Sequence, residues 1–483
     1  MRRIHTHRRS SPASPIVDEQ GTIHREAGTV VALGYPAPYR AGSVSLGAQT
    51  VYGAFNQVPG LSCTRFFLPG QGAVQRPLVS FETGRPVDEA RAIAFSIACE
   101  AELIGIVELL VAADLEPLAE ARGEVDPPVI IGGPLTLLDP HLVAPLADIV
   151  VVGEAEEALV PLGEALVATS GRGDLADALH DPPPGVWIPN RAAKPPSPAV
   201  APAHLLPASA VTWSPHAEFK NLFLVEAARG CKRGCSFCVL SARACGRRPF
   251  TPVSVERILQ TIPKGAPGVG LVGAAVTDHP EIVRIVDAVV KSGRRVSLSS
   301  IRADRLTDEL ARMLGKGGLR TLTVAADGSS ERLRKAVHKG ISAEHLLRAA
   351  DIAKRAGIRG IKVYSMIGLP GEEDEDVLEF ADLAIDLGGR LRTSVALQAF
   401  VPKPGTPLAQ VKMTEEAIIR RRLDLVKRHV GGKVRIMPTS PRWSWLDWKL
   451  AHAGENAAPV AIAAYRKGGN FAAWRRAIKE AGF

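Results

Sequence analysis

Twice along this chain of 483 residues the same pattern recurs: a short β-branched run, a helical stretch, then another run. Such alternation buries both element types only as a mostly parallel sheet with helices on its two faces, so the fold class is α/β. The first series occupies residues 28–170. Its strands are read at 29–33, 64–68, 92–98, 128–131 and 148–152, with a helix over 46–56, which describes a doubly wound parallel sheet. The second series occupies 217–408, with strands at 222–226, 269–272, 295–299, 321–325, 361–366 and 394–400. Helices at 278–292 and 342–356 cross between them. Six parallel strands with crossovers predict a partial or full β/α barrel whose ligand groups stand at the carboxyl ends of the strands.

Between the two series, residues 182–215 carry ten prolines. Proline lacks an N–H and locks φ, so the segment 171–216 reads as a linker or an extended arm wrapping a domain. Residues 1–27, with Arg2, Arg3, Arg8 and Arg9, read as a disordered basic tail. Residues 409–483 read as a helical region: an amphipathic helix over 415–429, then Trp443, Trp445, Trp448 and Trp474, forming a small cap.

No apolar run approaches the roughly 18 residues of a membrane span. The charged N-terminus has no apolar segment behind it, so it is no secretory signal and a cytoplasmic location is expected. The net charge of +9, with arginines and lysines concentrated in the last quarter, suits either a solvated helix face or a polyanionic partner such as RNA. Six cysteines without a secretion signal argue against a disulfide scaffold.

Three of those six fall within eight residues: Glu226-Ala-Ala-Arg-Gly-Cys231-Lys-Arg-Gly-Cys235-Ser-Phe-Cys238. The stretch begins where the first barrel strand ends. Three thiolates can ligate three irons of a 4Fe-4S cluster and leave the fourth iron open to a substrate or cofactor. A structural zinc site or an electron-transfer cluster calls for four ligands, and the only nearby fourth cysteine is Cys245. Gly230 and Gly234 let the loop curl, and Lys232 and Arg233 place positive charge beside an anionic cluster.

Cys-x3-Cys-x2-Cys after the first strand of a β/α barrel resembles the signature of the radical SAM superfamily, over roughly 220–408. The resemblance implies that the open iron chelates S-adenosylmethionine, whose reductive cleavage gives a 5′-deoxyadenosyl radical that abstracts a substrate hydrogen. It implies an external electron donor of flavodoxin or ferredoxin type. Carried over residue by residue, Phe237 matches the aromatic beside the adenine. Gly273 lies in the turn receiving the methionine amine, although the acidic residue of that turn is missing here. Ser299, Ser300 and Arg302 end the third strand, where relatives place groups for the ribose and carboxylate. Asp327 ends the fourth strand, where relatives often have Glu. The segments 360–372 and 400–407 look like the family's fifth-strand stretch and the close of the sixth. Lys362 and Tyr364 are candidates for a general acid or base.

A parallel α/β domain ahead of such a barrel resembles the cobalamin-binding subclass. Ile131-Gly132-Gly133-Pro134 matches that subclass's Gly-Gly segment, Ser96 falls where its tail-contacting Ser stands, and Gly153-Glu154-Ala155-Glu156-Glu157 matches the continuation at the last strand. The Asp-x-His-x-x-Gly that supplies a lower cobalt ligand is absent: that place reads Tyr35-Pro-Ala-Pro-Tyr39, and Asp139-Pro-His141 comes later. Either cobalamin binds without a protein ligand or the domain binds something else. The Tyr35–Tyr39 opening and Ser440-Pro-Arg-Trp-Ser-Trp-Leu-Asp-Trp-Lys449 also resemble a group of two-domain radical SAM proteins without an assigned substrate. The favoured expectation is cobalamin-dependent methylation, or another radical modification, of an unidentified substrate. The alternatives are an RNA-modifying radical SAM enzyme and a non-enzymatic iron-sulfur electron-transfer or sensor protein. Methylthiotransferases of the family usually carry three further cysteines, and Cys63, Cys99 and Cys245 form no compact trio.

Overall fold

The computed structural model describes residues 18–70, 72, 74–241, 248–299 and 301–483. The arginines of the N-terminal tail, Cys245 and Ser300 lie outside the described residues.

The first sheet is built from β1 (Thr29–Pro38), β2 (Leu61–Leu68), β3 (Ala92–Ser96), β4 (Val129–Gly132), β5 (Ile149–Val151) and β6 (Val186–Trp187). Their order is β2-β1-β3-β4-β5-β6, parallel throughout except for β6. Val, Ile and Leu fill the central strands on both faces, as burial from two sides requires. Gly34 at the centre of β1 has Phe66 and Phe95 meeting over it; a Cβ there would stand 2.5 Å from each ring. One face of the sheet packs on the helices Leu46–Phe55 and Glu156–Ala168. The other packs on Leu103–Ala112, a helix apolar almost all round.

A helix of that kind needs a cover on its outer side. The C-terminal helices supply it: Ala457–Arg466 and Phe471–Ala481 join the same core, with Trp474 only 1% exposed. The helical C-terminal region thus serves both halves: its last two helices complete the core of the first domain, while Glu416–Val430 packs into the core of the second series. Trp443, by contrast, is 43% exposed.

The second series gives β7 (Phe223–Glu226), β8 (Ala228–Arg229), β9 (Thr251–Pro252), β10 (Gly268–Val272), β11 (Arg295–Leu298), β12 (Thr321–Ala325), β13 (Gly360–Ile367), β14 (Arg392–Ala399) and β15 (Arg435–Pro438). Two parallel sheets, β7-β10-β11 and β12-β13-β14-β15, are linked by the bridge of Ile301 to Val324. Among the described residues β7 and β15 do not pair, so the barrel is partial. The edge strand β15 adds a seventh parallel strand to the expected six. Strands β8 and β9 form a short antiparallel ladder at the foot of the cysteine loop.

The proline-rich stretch is an arm laced to both halves. Ala199 pairs with Gly153, Ser209 with Val225, and Trp213 with Gln20. The Gln49 side chain accepts from the backbone of Val211 and Thr212 at 2.6 and 2.7 Å. Residues 18–27, assigned to the tail by sequence, are held in place as well. Glu19 binds the buried Arg65 and accepts from Tyr39 Oη at 2.5 Å, interactions between residues too far apart in the chain to read from composition.

Candidate active site

The cysteine loop leaves the carboxyl end of β7 through Gly230, whose φ is +77° and whose Cβ, were there one, would stand 2.4 Å from the Pro249 carbonyl oxygen. Only glycine fits there. Cys235 is buried, and Cys231 and Cys238 are half-buried. Burial pushes the Cys235 thiol above its ordinary range, against the pull of Lys339; the Cys238 thiol is raised by burial too, with Cys231 adding to the rise. Iron would reverse that balance, because a coordinated thiol is held as thiolate.

A second loop, Val337–Gly340, rides against the first. The Ser236 amide donates to Val337 O at 3.0 Å, Ser236 Oγ lies 3.0 Å from His338 Nδ1, and Cys235 Sγ donates weakly to His338 O at 3.7 Å. Lys339 Nζ reaches Asp327 Oδ2 at 2.6 Å. Asp327 and His338, at either end of this contact, both have left-handed backbones, φ +55° and +56°. Such non-glycine residues are uncommon and gather at functional sites. Arg233 forks onto Asp278 at 2.8 and 3.0 Å, and Lys232 lies over the Phe250 ring at 4.8 Å.

Most groups anticipated for S-adenosylmethionine come together here. Phe237 packs against Leu333, Val337, Leu369 and Phe400. Ser299 Oγ accepts from Gly273 N at 3.2 Å and donates to Gly273 O at 3.1 Å, tying the ends of β10 and β11. Arg302 differs from expectation. Its fork is already on Asp304, at 2.9 and 3.2 Å, so a cofactor carboxylate would have to compete for it. Lys339 was not anticipated, although its charge reaches both Cys235 and Cys238. Among the described residues no three His, Cys, Asp or Glu side chains converge on a single ion position.

At the carboxyl ends of β1, β3, β4 and β5 a cavity of about 350 Å³ opens between the first sheet and its helices. That volume lies within the roughly 300–1,000 Å³ of ligand pockets. Its walls are mainly aliphatic, among them Leu33, Val51, Ile130 and Leu159. Gly47, Ser96, Gly132 and Gly133 line it. Gly133 has φ +114° and a Cβ position 2.5 Å from Ile97 O. The Ser96 hydroxyl has no partner among the described residues. Among the described residues no histidine lines the cavity; His141 is held by Asp139 at 2.8 Å and lies edge-on to Trp187.

The opposite wall is the cysteine loop itself, through Arg229, Gly230, Val239 and Leu240. Arg229 joins the two domains. Its guanidinium takes Glu226 in two parallel bonds of 2.7 Å, Glu154 at 3.0 Å and Glu156 at 2.6 Å. Arg248 binds the same Glu154 at 2.9 Å. Burial disfavours the Arg229 charge, but the three carboxylates outweigh it and hold the guanidinium more firmly protonated than usual. The segment 153–157 stood out in the sequence; its partner did not.

A second bridge between the domains joins Lys403, after β14, to the buried Glu100 at 2.6 Å. Asp447 lies beside it, and burial pushes its carboxyl up to about 6, with Lys403 pulling it down and Glu100 pushing it up. The folded chain thus holds this proton to higher pH than the unfolded chain, so stability falls as pH rises through the window from about 4 to about 6. Asp447→Asn is expected to raise stability at neutral pH by about 1–3 kcal/mol and to have no effect below about pH 4. Thermal unfolding across pH checks this; equal pH dependence in both proteins would remove Asp447 as its source.

Residues 225–384 match the profile of the Radical SAM superfamily, and residues 47–189 that of radical SAM proteins' N-terminal region. An uncharacterized protein of Methanocaldococcus jannaschii is 33% identical over 193 residues, 38% of this chain and 41% of that protein. An uncharacterized methyltransferase of Pyrococcus horikoshii is 24% identical over 309 residues, 60% of this chain and 64% of that protein. The chain thus spans less than two thirds of either relative. Among solved structures, TsrM of Kitasatospora setae, a radical S-adenosylmethionine methyltransferase with tryptophan substrate and a SAM analogue bound, superposes with a TM-score of 0.55 at 16% identity, over 79% of this chain and 75% of that one. OxsB, a cobalamin-dependent S-adenosylmethionine radical enzyme, gives 0.51 at 14%, over 83% of this chain and 56% of that one. At such identities the likeness is one of fold.

Proposed function

We propose, from the premise that the chain belongs to the radical SAM superfamily, that it is a cobalamin-dependent member transferring a methyl group to an unactivated carbon of its substrate. The family implies a 4Fe-4S cluster and S-adenosylmethionine, which together supply reductive cleavage and hydrogen abstraction. Cys231, Cys235 and Cys238 would hold three irons. The chain's own work is then to orient and to exclude water. Phe237 offers a ring for stacking, the turns at Gly273 and Ser299 offer polar groups, and Lys339 with Asp327 sets the charge next to the thiolates.

The observation that carries the cobalamin reading is the aliphatic cavity between sheet and helices, with the cysteine loop as its far wall. A flat nucleotide base fits such a slot, and Gly132 and Gly133 permit close backbone approach. A bound corrinoid would supply the methyl group. The lining offers no imidazole among the described residues, and on this reading the corrinoid would bind without a histidine ligand.

Gly47 gives a clean test. It lies in the helix Leu46–Phe55 on the cavity wall, and a Cβ added there would have Ser96 Oγ, 3.9 Å away, as its nearest neighbour. Gly47→Phe therefore fills the cavity without backbone strain. Wild-type protein reconstituted with hydroxocobalamin is expected to retain the corrinoid through gel filtration, and Gly47→Phe to bind it at least about tenfold more weakly. Wild-type protein that holds no corrinoid sinks the proposal.

A further inference from the structure

The concave face of the partial barrel differs from the packed interior of a closed β/α barrel, where branched apolar residues fill the centre. On β12–β14, Leu322, Val324, Ile361, Val363, Val395 and Leu397 point outward into the helix-covered core. The alternate residues therefore face inward. Cross-strand pairing aligns Thr323 with Lys362, Lys362 with Ser394, and Ser394 with Arg435; the next row is Ala325, Tyr364, Ala396 and Met437. Lys362, Tyr364 and Met366 are half-buried on this face.

The charge on this wall is one-sided. Lys362, Arg392 and Arg435 share the inward parity on β13, β14 and β15, and these strands place no carboxylate there. None of the three cations has an ion-pair partner among the described residues. Lys362 Nζ donates to Tyr364 Oη at 2.7 Å and lies 4.5 Å from the ring centroid. With one lone pair taken, the Tyr364 hydroxyl keeps its own proton to donate, and Lys362 keeps further N–H groups. Among the described residues no carboxylate or carbonyl accepts from either group, so the pair keeps donors to offer.

Higher on the same face, Met366 packs on the apolar cluster of Leu333, Val337, Leu369 and Phe400, on which Phe237 of the cysteine loop packs too. At about 3.3 Å of rise per residue, Tyr364 lies about 7 Å and Lys362 about 13 Å below the level of Met366.

We propose that Lys362 and Tyr364 form the anchor for an anionic group of the substrate, a carboxylate or a phosphate, held within the open barrel. The substrate's reacting carbon then lies about 7–13 Å from that anion, along the wall toward the cysteine loop. This rests on the radical SAM reading of the barrel and not on cobalamin.

The test follows binding alone, in the full-length, cluster-loaded protein without corrinoid. Of the chain's five methionines, Met366 and Met437 lie on this face. With ¹³C-methyl methionine labels, titration with succinate and with inorganic phosphate is expected to shift the Met366 and Met437 signals saturably, and ethanolamine to leave them unmoved. The tighter of the two anions identifies the group. Lys362→Gln is expected to weaken binding at least about tenfold. Tyr364→Phe, which keeps the ring and loses the donor, is expected to weaken it severalfold. Unchanged Met313 and Met413 signals establish that the variants are folded. The proposal is overturned if neither anion gives saturable shifts, if Lys362→Gln binds as well as wild type, or if ethanolamine competes.

Discussion

On the proposed ligation, Cys235→Ala is expected to yield a folded protein that holds no 4Fe-4S cluster and forms no 5′-deoxyadenosine from S-adenosylmethionine under reduction. The expected fall in cleavage is on the order of a thousandfold or more, as when one member of a catalytic unit is removed. In that ligation three protein thiolates serve three irons, and among the described residues the loop holds no fourth thiol to take the empty place. Stability should change little by comparison. Cys235 contributes one small buried side chain and a weak S–H contact of 3.7 Å to His338 O, while Ser236 keeps its two bonds to the neighbouring loop. Iron and sulfide content, thermal unfolding and product analysis separate these effects. Full iron content and undiminished 5′-deoxyadenosine in the variant would place the ligands elsewhere in the chain.

The cysteine triad stands out in sequence because a cluster would demand a local spacing, and local spacing is what a sequence displays. The strands are legible for a similar reason. Val30, Val31, Ile130, Ile131, Val150 and Val151 belong to central parallel strands, nearly all of them fully buried, and continuous β-branched runs mark that environment. Strand β15 gives no such signal. Arg435-Ile-Met-Pro438 is short, has no residue fully buried and ends in proline, which suits an edge. The final helices show an apolar face but not its partner, since amphipathicity says that a face is buried and not against what. Arg302 looks free in sequence because its neighbour Asp304, two residues on, could as well have pointed to solvent. The network at Arg229 lies furthest from view. Its partners Glu154 and Glu156 are 75 and 73 residues away, in another domain, and only the folded arrangement makes them meet.

That network predicts the second large effect. Arg229→Ala removes a cation that three carboxylates share, leaving Glu226, Glu154 and Glu156 close together with, among the described residues, Arg248 on Glu154. Side-chain exposures are 15% for Arg229, 16% for Glu154, 13% for Glu156 and 9% for Glu226, so water repays little of the loss. Removing one partner of a buried ion pair costs about 3–5 kcal/mol, and the residual exposure places Arg229→Ala near the lower end. Arg229→Lys keeps the charge but cannot give Glu226 two parallel bonds while reaching two further carboxylates, so it recovers only part of the stability. Glu156→Gln is the informative counterpart, because Glu156 lies in the first domain and, among the described residues, meets the cysteine loop through Arg229. If Arg229 sets the loop against the cavity wall, Glu156→Gln perturbs the electron paramagnetic resonance spectrum of the reduced cluster, and Arg229→Ala perturbs it in the same direction and more strongly. Nonadditivity in the double variant measures the coupling between them. A spectrum indifferent to Glu156, in a protein destabilised by its loss, would reduce the network to a fastening between domains.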